Sequence, residues 1–203
     1  MSRKGLLIVV SAPSGAGKTT LCKEISRVLP NLQHSVSYTT RKPRPNETDG
    51  VHYFFVTQEK FDKMIKDKEF AEWAVVHGNL YGTSKKQLAE MMDGGIDVIL
   101  DIDSQGAMQI KENWESGAFI YILPPSFDDL RRRLTERNSD ATNEIKKRLE
   151  NAKKEILHYK RYNYVIINDK FEKALDDLKS IITSERLKID KFNTDMIDEK
   201  FNL

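Results

Sequence analysis

Residues 6–29 read LLIVVSAPSGAGKTTLCKEISRVL, and this stretch decides the fold. Leu6 to Val10 are continuously apolar, the pattern of a strand covered on both faces. A glycine-bearing loop follows. Leu21, Ile25, Val28 and Leu29 then fall at i, i+4, i+7 and i+8, one face of a helix that Pro30 ends. The loop Ala12-Pro13-Ser14-Gly15-Ala16-Gly17-Lys18-Thr19 fits the phosphate-binding pattern G-x-x-x-x-G-K-[ST] except at its first position, where Ala12 replaces glycine. The residue types have a chemical reason. Glycines let successive backbone N–H groups turn inward on phosphate oxygens, and the helix that follows through Thr20 adds its positive end. Lys18 reaches the β- and γ-phosphates, and Thr19 is placed to ligate Mg²⁺, partly through water. Ala12 is compatible with this only at negative φ. A bare match also describes an ordinary turn; the strand before it and the amphipathic helix after it favour a phosphate loop.

Working outward, strand-length apolar runs recur at 96–102 (IDVILDI), 118–123 (AFIYIL) and 164–167 (YVII). Helical patterns separate them. Ser84 and Gln87 form a capping-box pair before LAEMM, which stops at Gly94 and Gly95, and Ser126 with Asp129 caps a helix carrying Leu130 and Leu134. A further helix is predicted over 143–159 on Ile145, Leu149, Ala152 and Ile156, and a last one puts Phe171, Leu175, Leu178 and Ile182 on one side. Strands alternating with helices predict an α/β fold of the P-loop NTPase type, a parallel sheet flanked by helices. Residues 37–83 break the rhythm. YTTRKPRPNETDGVHYFFVT, with turn-formers Pro43, Pro45 and Gly50 ahead of short aromatic and β-branched runs, predicts an inserted β-rich lobe. The expected division is a core of 1–36, 97–125 and 150–190, a lobe of 37–96, a helical lid of 126–149, and a tail of 191–203 that is either docked or frayed.

A chain of 203 residues has room for one core with appendages. Lys+Arg 33 against Asp+Glu 31 leaves a net charge of only +2, which lacks the overall field of a nucleic-acid binder, so any anion site comes from local clustering. Cys22 is the only cysteine, which excludes an internal disulfide framework and a cysteine-built zinc site and fits a reducing compartment. The apolar run at 6–10 is too short for a signal segment or a membrane span. A cytoplasmic protein with neither membrane nor nucleic-acid partners is expected, and monomer and homo-oligomer stay equally open. Asp101 ends the apolar run VIL, with Asp103 two residues on; each reads either as an acid steering metal or attacking group beside a phosphate loop, or as a solvated strand end.

At SVSYTTRKPRPNETDGVHYFFV the chain resembles the guanylate kinases, and the resemblance runs over roughly residues 5–187. S-x-T-T-R-x-x-R is followed by G-x-x-Y at Gly50 to Tyr53, E-W at Glu72 and Trp73, Y-G-T at Tyr81 to Thr83, D-I-D at Asp101 to Asp103 and P-P-S at 124–126. The resemblance implies phosphorylation of GMP, and of dGMP, by ATP with Mg²⁺, in guanine nucleotide metabolism. It implies a GMP-binding lobe in which Arg41, Arg44, Tyr53 and Tyr81 hold the GMP phosphate while Ser37, Glu72 and Thr83 face the guanine. Asp101 and Asp103 are implied near the nucleotide or its metal. Arg133, Arg137 and Arg148 are implied in the lid over the ATP phosphates, and Asn168 near the adenine. Asn138 departs from the family's usual glycine after the second lid arginine and leaves the end of that helix, and with it Arg137, open.

Physical chemistry supports the acceptor independently. Guanine presents two adjacent donors, N1–H and N2–H₂, that one carboxylate accepts together, whereas adenine N1 is an acceptor that would face Glu72 with a lone pair, a buried mismatch costing roughly 1–3 kcal/mol or more. Without that context Glu72 reads equally as a solvated acid beside Trp73, and Tyr53 and Tyr81 as ordinary packing, whereas the pair Arg41 and Arg44 favours a phosphate clamp over a solvated basic turn. The transferring phosphoryl spreads charge over its equatorial oxygens, so cations are the main requirement, and Lys18, Arg41, Arg133, Arg137 and Arg148 are the candidates. An attacking phosphate with a second pKa near 6 needs no general base; His34, His52, His77 and His158 show no partner pattern, and Cys22 reads as a small buried hydrophobe. Closure of lobe and lid is expected, to keep water from acting as acceptor. Two other readings compete: a guanylate-kinase-like module that binds peptides without catalysis, and a nucleoside monophosphate kinase with a different acceptor. The intact Lys18 and Thr19 argue against the first and Glu72 against the second.

Overall fold

Four of the five residues of β1 (Leu7–Ser11) are apolar, and Leu7 to Val10 are each no more than 1% exposed, so this strand is sealed on both faces. The computed structural model describes residues 3–76, 78–114, 116–136, 142–191 and 194–202, with the side chains of 136, 142–148 and 195–197 outside that description. After β1 come α1 (Lys18–Val28), β2 (Leu32–His34), β3 (Tyr38–Thr39), β4 (Phe54–Phe55), α2 (Gln58–Lys66), β5 (Phe70–Val76), β6 (Asn79–Ser84) and α3 (Lys85–Asp93). The chain continues through β7 (Asp97–Asp101), α4 (Ser104–Asn113), β8 (Ala118–Leu123), α5 (Phe127–Glu136), α6 (Thr142–Ile156), β9 (Tyr164–Ile167), α7 (Phe171–Arg186) and α8 (Thr194–Phe201).

Five strands make a parallel sheet in the order β2-β7-β1-β8-β9. Alternate residues of β1 serve opposite faces, as the two-residue period of a strand requires. Ile8 and Val10 pack with Leu21 and Ile25 of α1 and with Leu178 and Ile182 of α7. Leu7 and Val9 pack with Leu88 and Met92 of α3 and with Ala107 and Ile110 of α4. Each such buried aliphatic side chain contributes on the order of 1.5–3 kcal/mol relative to exposure. The register pairs Val10 with Asp101 and with Ile120, so Asp101 lies beside the chain where it leaves β1. Ligands of open α/β sheets bind past the carboxyl ends of the strands, and the loop after β1 and Asp101 both lie at that end.

A second, mixed sheet runs β4-β3-β6-β5, with β3 and β4 parallel and the other pairs antiparallel. It has its own small core of Phe61, Met64, Phe70 and Leu80. Helices α5 and α6 pack on one another through Leu130, Leu134 and Ala152. The expected start signals are present: Ser84 Oγ accepts from the Gln87 N–H, and Ser126 Oγ accepts from the Asp129 N–H. Gln87 does not complete the capping box, because its Oε1 is buried without a partner. The helix expected over 143–159 gives way after Ile156 to a 3₁₀ turn, Leu157–Arg161. After α7 the chain makes a 3₁₀ turn, Ile189–Lys191, and then α8 in the tail, with Leu187, Ile189 and Phe201 about 70% exposed. At the base of the sheet, Asp97 is fully buried and accepts from both nitrogens of the Arg3 fork, from the Leu6 N–H and from Arg186 Nε, which ties the chain's first strand to its last long helix. Among the described residues no helix is long and apolar enough to cross a membrane.

Candidate active site

The loop between β1 and α1 takes its shape from two left-handed glycines, Gly15 at φ +92° and Gly17 at φ +91°, the latter immediately ahead of α1. A side chain at either would strain the backbone. Ala12 is not among the non-glycine residues with positive φ, which are Asn31, Lys68 and Asn202 among those described, so alanine costs nothing in conformation there. Residues 12–20, Asp103 and Glu155 line a cleft of about 300 Å³. Among the loop amides, Ser14 N–H points at a carboxylate oxygen, Glu155 Oε2, at 3.3 Å. Lys18 forms an ion pair with Asp101 and donates to the Ile102 carbonyl at 3.0 Å, both at the carboxyl end of β7. Asp103 accepts from the Gly106 N–H at 2.8 Å and so caps α4, a structural duty the sequence did not show.

The second sheet presents the other candidates. Glu72 on β5 is 5% exposed and its Oε1 accepts from the Thr83 hydroxyl at 2.5 Å. Burial, aided by the charge of Asp103 and opposed by the Thr83 bond, pushes the Glu72 carboxyl up to about 7. Lys18, Ser37, Tyr53, Glu72, Tyr81 and both Asp101 and Asp103 line one pocket of about 310 Å³ between the two sheets. Tyr53 and Tyr81 pack edge to face with centroids 5.8 Å apart, and Arg41 lies 5.3 Å over the Tyr53 ring. Arg41 Nε donates to Tyr81 Oη at 3.2 Å. Arg44 lines a neighbouring cavity of about 520 Å³ that also contains Ser37, Tyr53 and Asp101.

On the opposite side of the loop, Asn168 follows β9, is 6% exposed, and donates to the Ala16 carbonyl at 2.7 Å. Its own carbonyl accepts from Arg133 at 2.8 Å. Both border a shallow cavity with Gly15, Gly17 and Phe171. Asn168 is thus a brace of the loop backbone as well as a lining residue. Arg131 and Arg132 turn to Asp128 and Asp129 on their own helix. Arg137 and Asn138 lie outside the described residues, as does the Arg148 side chain.

Residues 4–185 match the family profile described as guanylate kinase. The chain belongs to the guanylate kinase family. It is 50% identical to a guanylate kinase of Geobacter metallireducens and 51% identical to that of Geobacter sulfurreducens, in each case over the full length of both chains. The crystal structure of guanylate kinase from Anaplasma phagocytophilum superposes with a TM-score of 0.79 at 33% identity, covering 100% of this chain and 98% of that one. Sequence and fold therefore agree that this is an enzyme of the guanylate kinase type.

Two residues at the site carried no signal strong enough to single them out in the sequence. Glu47 grips Arg41 with both oxygens, at 2.9 and 2.8 Å, and also accepts from the Arg44 N–H at 2.8 Å. Those bonds, the Arg41 pair first, hold its carboxyl down at about 2. An acid inside the basic turn RKPRPNE is the hint the sequence contained. Glu155, predicted only as a helix position, reaches the phosphate loop from α6; its helix periodicity carries no trace of that contact. Two histidines border the site: His34 and His52 line the Arg44 cavity, with His34 Nε2 against the Cys22 carbonyl and His52 Nδ1 accepting from the Thr48 N–H, while His158 Nδ1 is buried without a partner. His77 lies outside the described residues.

Proposed function

We propose that the protein transfers the γ-phosphate of ATP to GMP, with dGMP as a further acceptor, by direct in-line displacement in guanine nucleotide recycling. One observation carries this reading: Lys18, which closes the phosphate loop, and Glu72, the buried carboxylate of the lobe, line the same pocket. A donor cradle and a purine-sized acceptor pocket meet there, as phosphoryl transfer between two nucleotides demands.

The loop amides and Lys18 bind the ATP phosphates, and Arg133 from the lid, with Arg137 and Arg148, adds positive charge over them. Arg41, Arg44, Tyr53 and Tyr81 hold the GMP phosphate, orienting an oxygen already ionised at neutral pH, so no side chain has to remove a proton. Glu72 accepts from guanine N1–H and N2–H₂ in its ionised form, with Thr83 fixing one oxygen and Ser37 lining the same wall. Asn168 braces the loop beside the cavity in which the adenine binds. Lys18 leaves Asp101 to reach a phosphate; Asp101 and Asp103 remain at the junction of the two pockets.

The donor set fits Mg²⁺. Among the described residues no group of three His, Cys, Asp or Glu could hold an ion by itself. Thr19, exposed on the first turn of α1, offers the single hydroxyl that a magnesium ion shared with phosphates and water requires. When bound, that ion neutralises charge developing on the β- and γ-oxygens.

A panel of nucleoside monophosphates in a coupled ADP-release assay tests the reading. GMP is the expected acceptor. Preference for AMP or UMP would replace the acceptor assignment, and no ADP release with any of them would leave a non-catalytic binding module.

A further inference from the structure

Helix α4 abuts the carboxylate assigned to guanine: Gly106 lies against the carboxylate itself and Gln109 against the backbone of the next residue, Trp73. Gly106 sits buried in the first turn of α4. Its backbone lies outside the left-handed region, so the chain does not need glycine there for conformation, and helices prefer alanine to glycine. What the position needs is space. A Cβ at 106 would lie 2.6 Å from Glu72 Oε2 and 3.2 Å from Glu72 Cδ. The other oxygen, Oε1, is already tethered by Thr83. A methyl group at 106 therefore displaces the carboxylate, because the end of a side chain yields more readily than packed backbone.

Nearly one helical turn further, Gln109 reaches the same strand. Its Nε2 donates to the Trp73 carbonyl at 2.8 Å and its Oε1 accepts from the Trp73 N–H at 3.1 Å. Strand β5 is at the edge of its sheet, so these two backbone groups have no neighbouring strand to pair with. The amide of Gln109 supplies the missing rung at the residue next to Glu72. The ladder with β6 is irregular between Phe70 and Glu72, a bulge that re-aims the strand where the carboxylate emerges. From Glu72 to Val76 the pairing with β6 is regular again, and the grip from α4 holds the strand's other edge.

We propose that α4 sets purine specificity: Gly106 leaves the space in which the Glu72 carboxylate sits, and Gln109 clamps the strand that carries it. Neither residue touches the acceptor; both are positioning residues, and the inference rests on the reading of Glu72 as the guanine acceptor.

The test compares kcat/KM for GMP and for IMP, which lacks the 2-amino group, in the wild-type protein, Gly106→Ala, Gln109→Leu and Glu72→Gln, with melting curves for each. Gly106→Ala is expected to melt at or above the wild-type temperature while its GMP:IMP ratio falls about tenfold, mainly through KM for GMP, the loss of one charge-assisted bond. Gln109→Leu shifts the ratio in the same direction. An unchanged ratio in both variants overturns the proposal, whatever happens to the melting temperature. Should Gly106→Ala fail to fold, the ratio in Gln109→Leu decides. The Glu72→Gln arm separates the two levels: if its ratio is unchanged, the assignment of Glu72 has failed and the proposal falls with it. If its ratio collapses while both α4 variants keep theirs, only the role of α4 is refuted.

Discussion

Lys18 and Glu72, 54 positions apart in the chain, line one pocket between the parallel sheet and the inserted lobe. One is a cation at the mouth of the phosphate loop; the other is an acid buried on a strand of a different sheet. Their common cleft gives each a distinct expected phenotype.

Lys18→Ala should lower kcat by on the order of 10² or more, because it removes charge stabilisation that grows as the phosphoryl group moves. KM for GMP should change little. Steady-state kinetics at saturating ATP measure both, and wild-type turnover would take Lys18 out of the mechanism.

Glu72 gives opposite signs for activity and stability. Folded Glu72 keeps its proton up to about pH 7 while an unfolded glutamate releases it near 4.5, so the folded state binds more protons between those values. Its contribution to stability is present at low pH and is lost as pH rises through about 7. Glu72→Gln should therefore stabilise the protein at pH 8, by on the order of 2 kcal/mol, or several degrees in Tm. The wild-type kcat/KM for GMP should fall as pH drops from 8 to 6, beyond what the titration of GMP itself explains, and that extra slope should vanish in Glu72→Gln.

Glu47 orients Arg41 by its two-oxygen grip. Glu47→Ala should raise KM for GMP about tenfold, the cost of a loosened charge-assisted pair, and leave KM for ATP unchanged. The folded carboxyl is depressed to about 2, so the stability it supplies is present above pH 4.5 and lost as pH falls through about 2. Acid melting curves of wild type and variant should therefore converge at the lowest pH.

Glu155 places a carboxylate oxygen on the Ser14 N–H, where a phosphate oxygen of ATP would bind. Glu155→Ala should tighten ATP binding by a factor of about 3 to 10, read by calorimetry with a non-hydrolysable analogue. Weaker binding would show instead that Glu155 supports the loop.

Asp97 holds Arg3, Arg186 and the Leu6 N–H at full burial. Asp97→Asn leaves two guanidinium groups without their counterion, a loss of about 3 kcal/mol and a Tm lower by on the order of 10 °C. Kinetic constants measured well below that Tm should be near wild type.

Much of this was legible in the chain itself because its signals are local. Continuous apolar runs marked β1, β7, β8 and β9 to within a residue at each end; the first three are covered on both faces and need no alternation, while β9, at the sheet edge, leaves Val165 and Ile167 nearly half exposed. Several short or weak elements were not marked, α8 among them. β2 spans three residues, α2 lies inside the lobe, and α4 turns only Ala107 and Ile110 with Gly106 into the core, too few apolar positions to set a period.

By itself the sequence determined a strand, a glycine loop and a helix, an interrupting lobe, and the residue types a nucleotide kinase needs. Dihedral preference and hydrophobic period act over a few residues, and short-range rules read them. Only the tertiary structure decided that Glu72 is buried with a raised pKa, that Asp103 caps α4, that Glu47 grips Arg41, and that Glu155 and Asn168 converge on the phosphate loop. Glu155 and Asn168 reach the loop across 141 and 152 positions, which no local pattern encodes. The Asp103 cap, the Glu47 grip and the bond from Thr83 to Glu72 close over only 3, 6 and 11 positions, but they needed the backbone path to bring their atoms together.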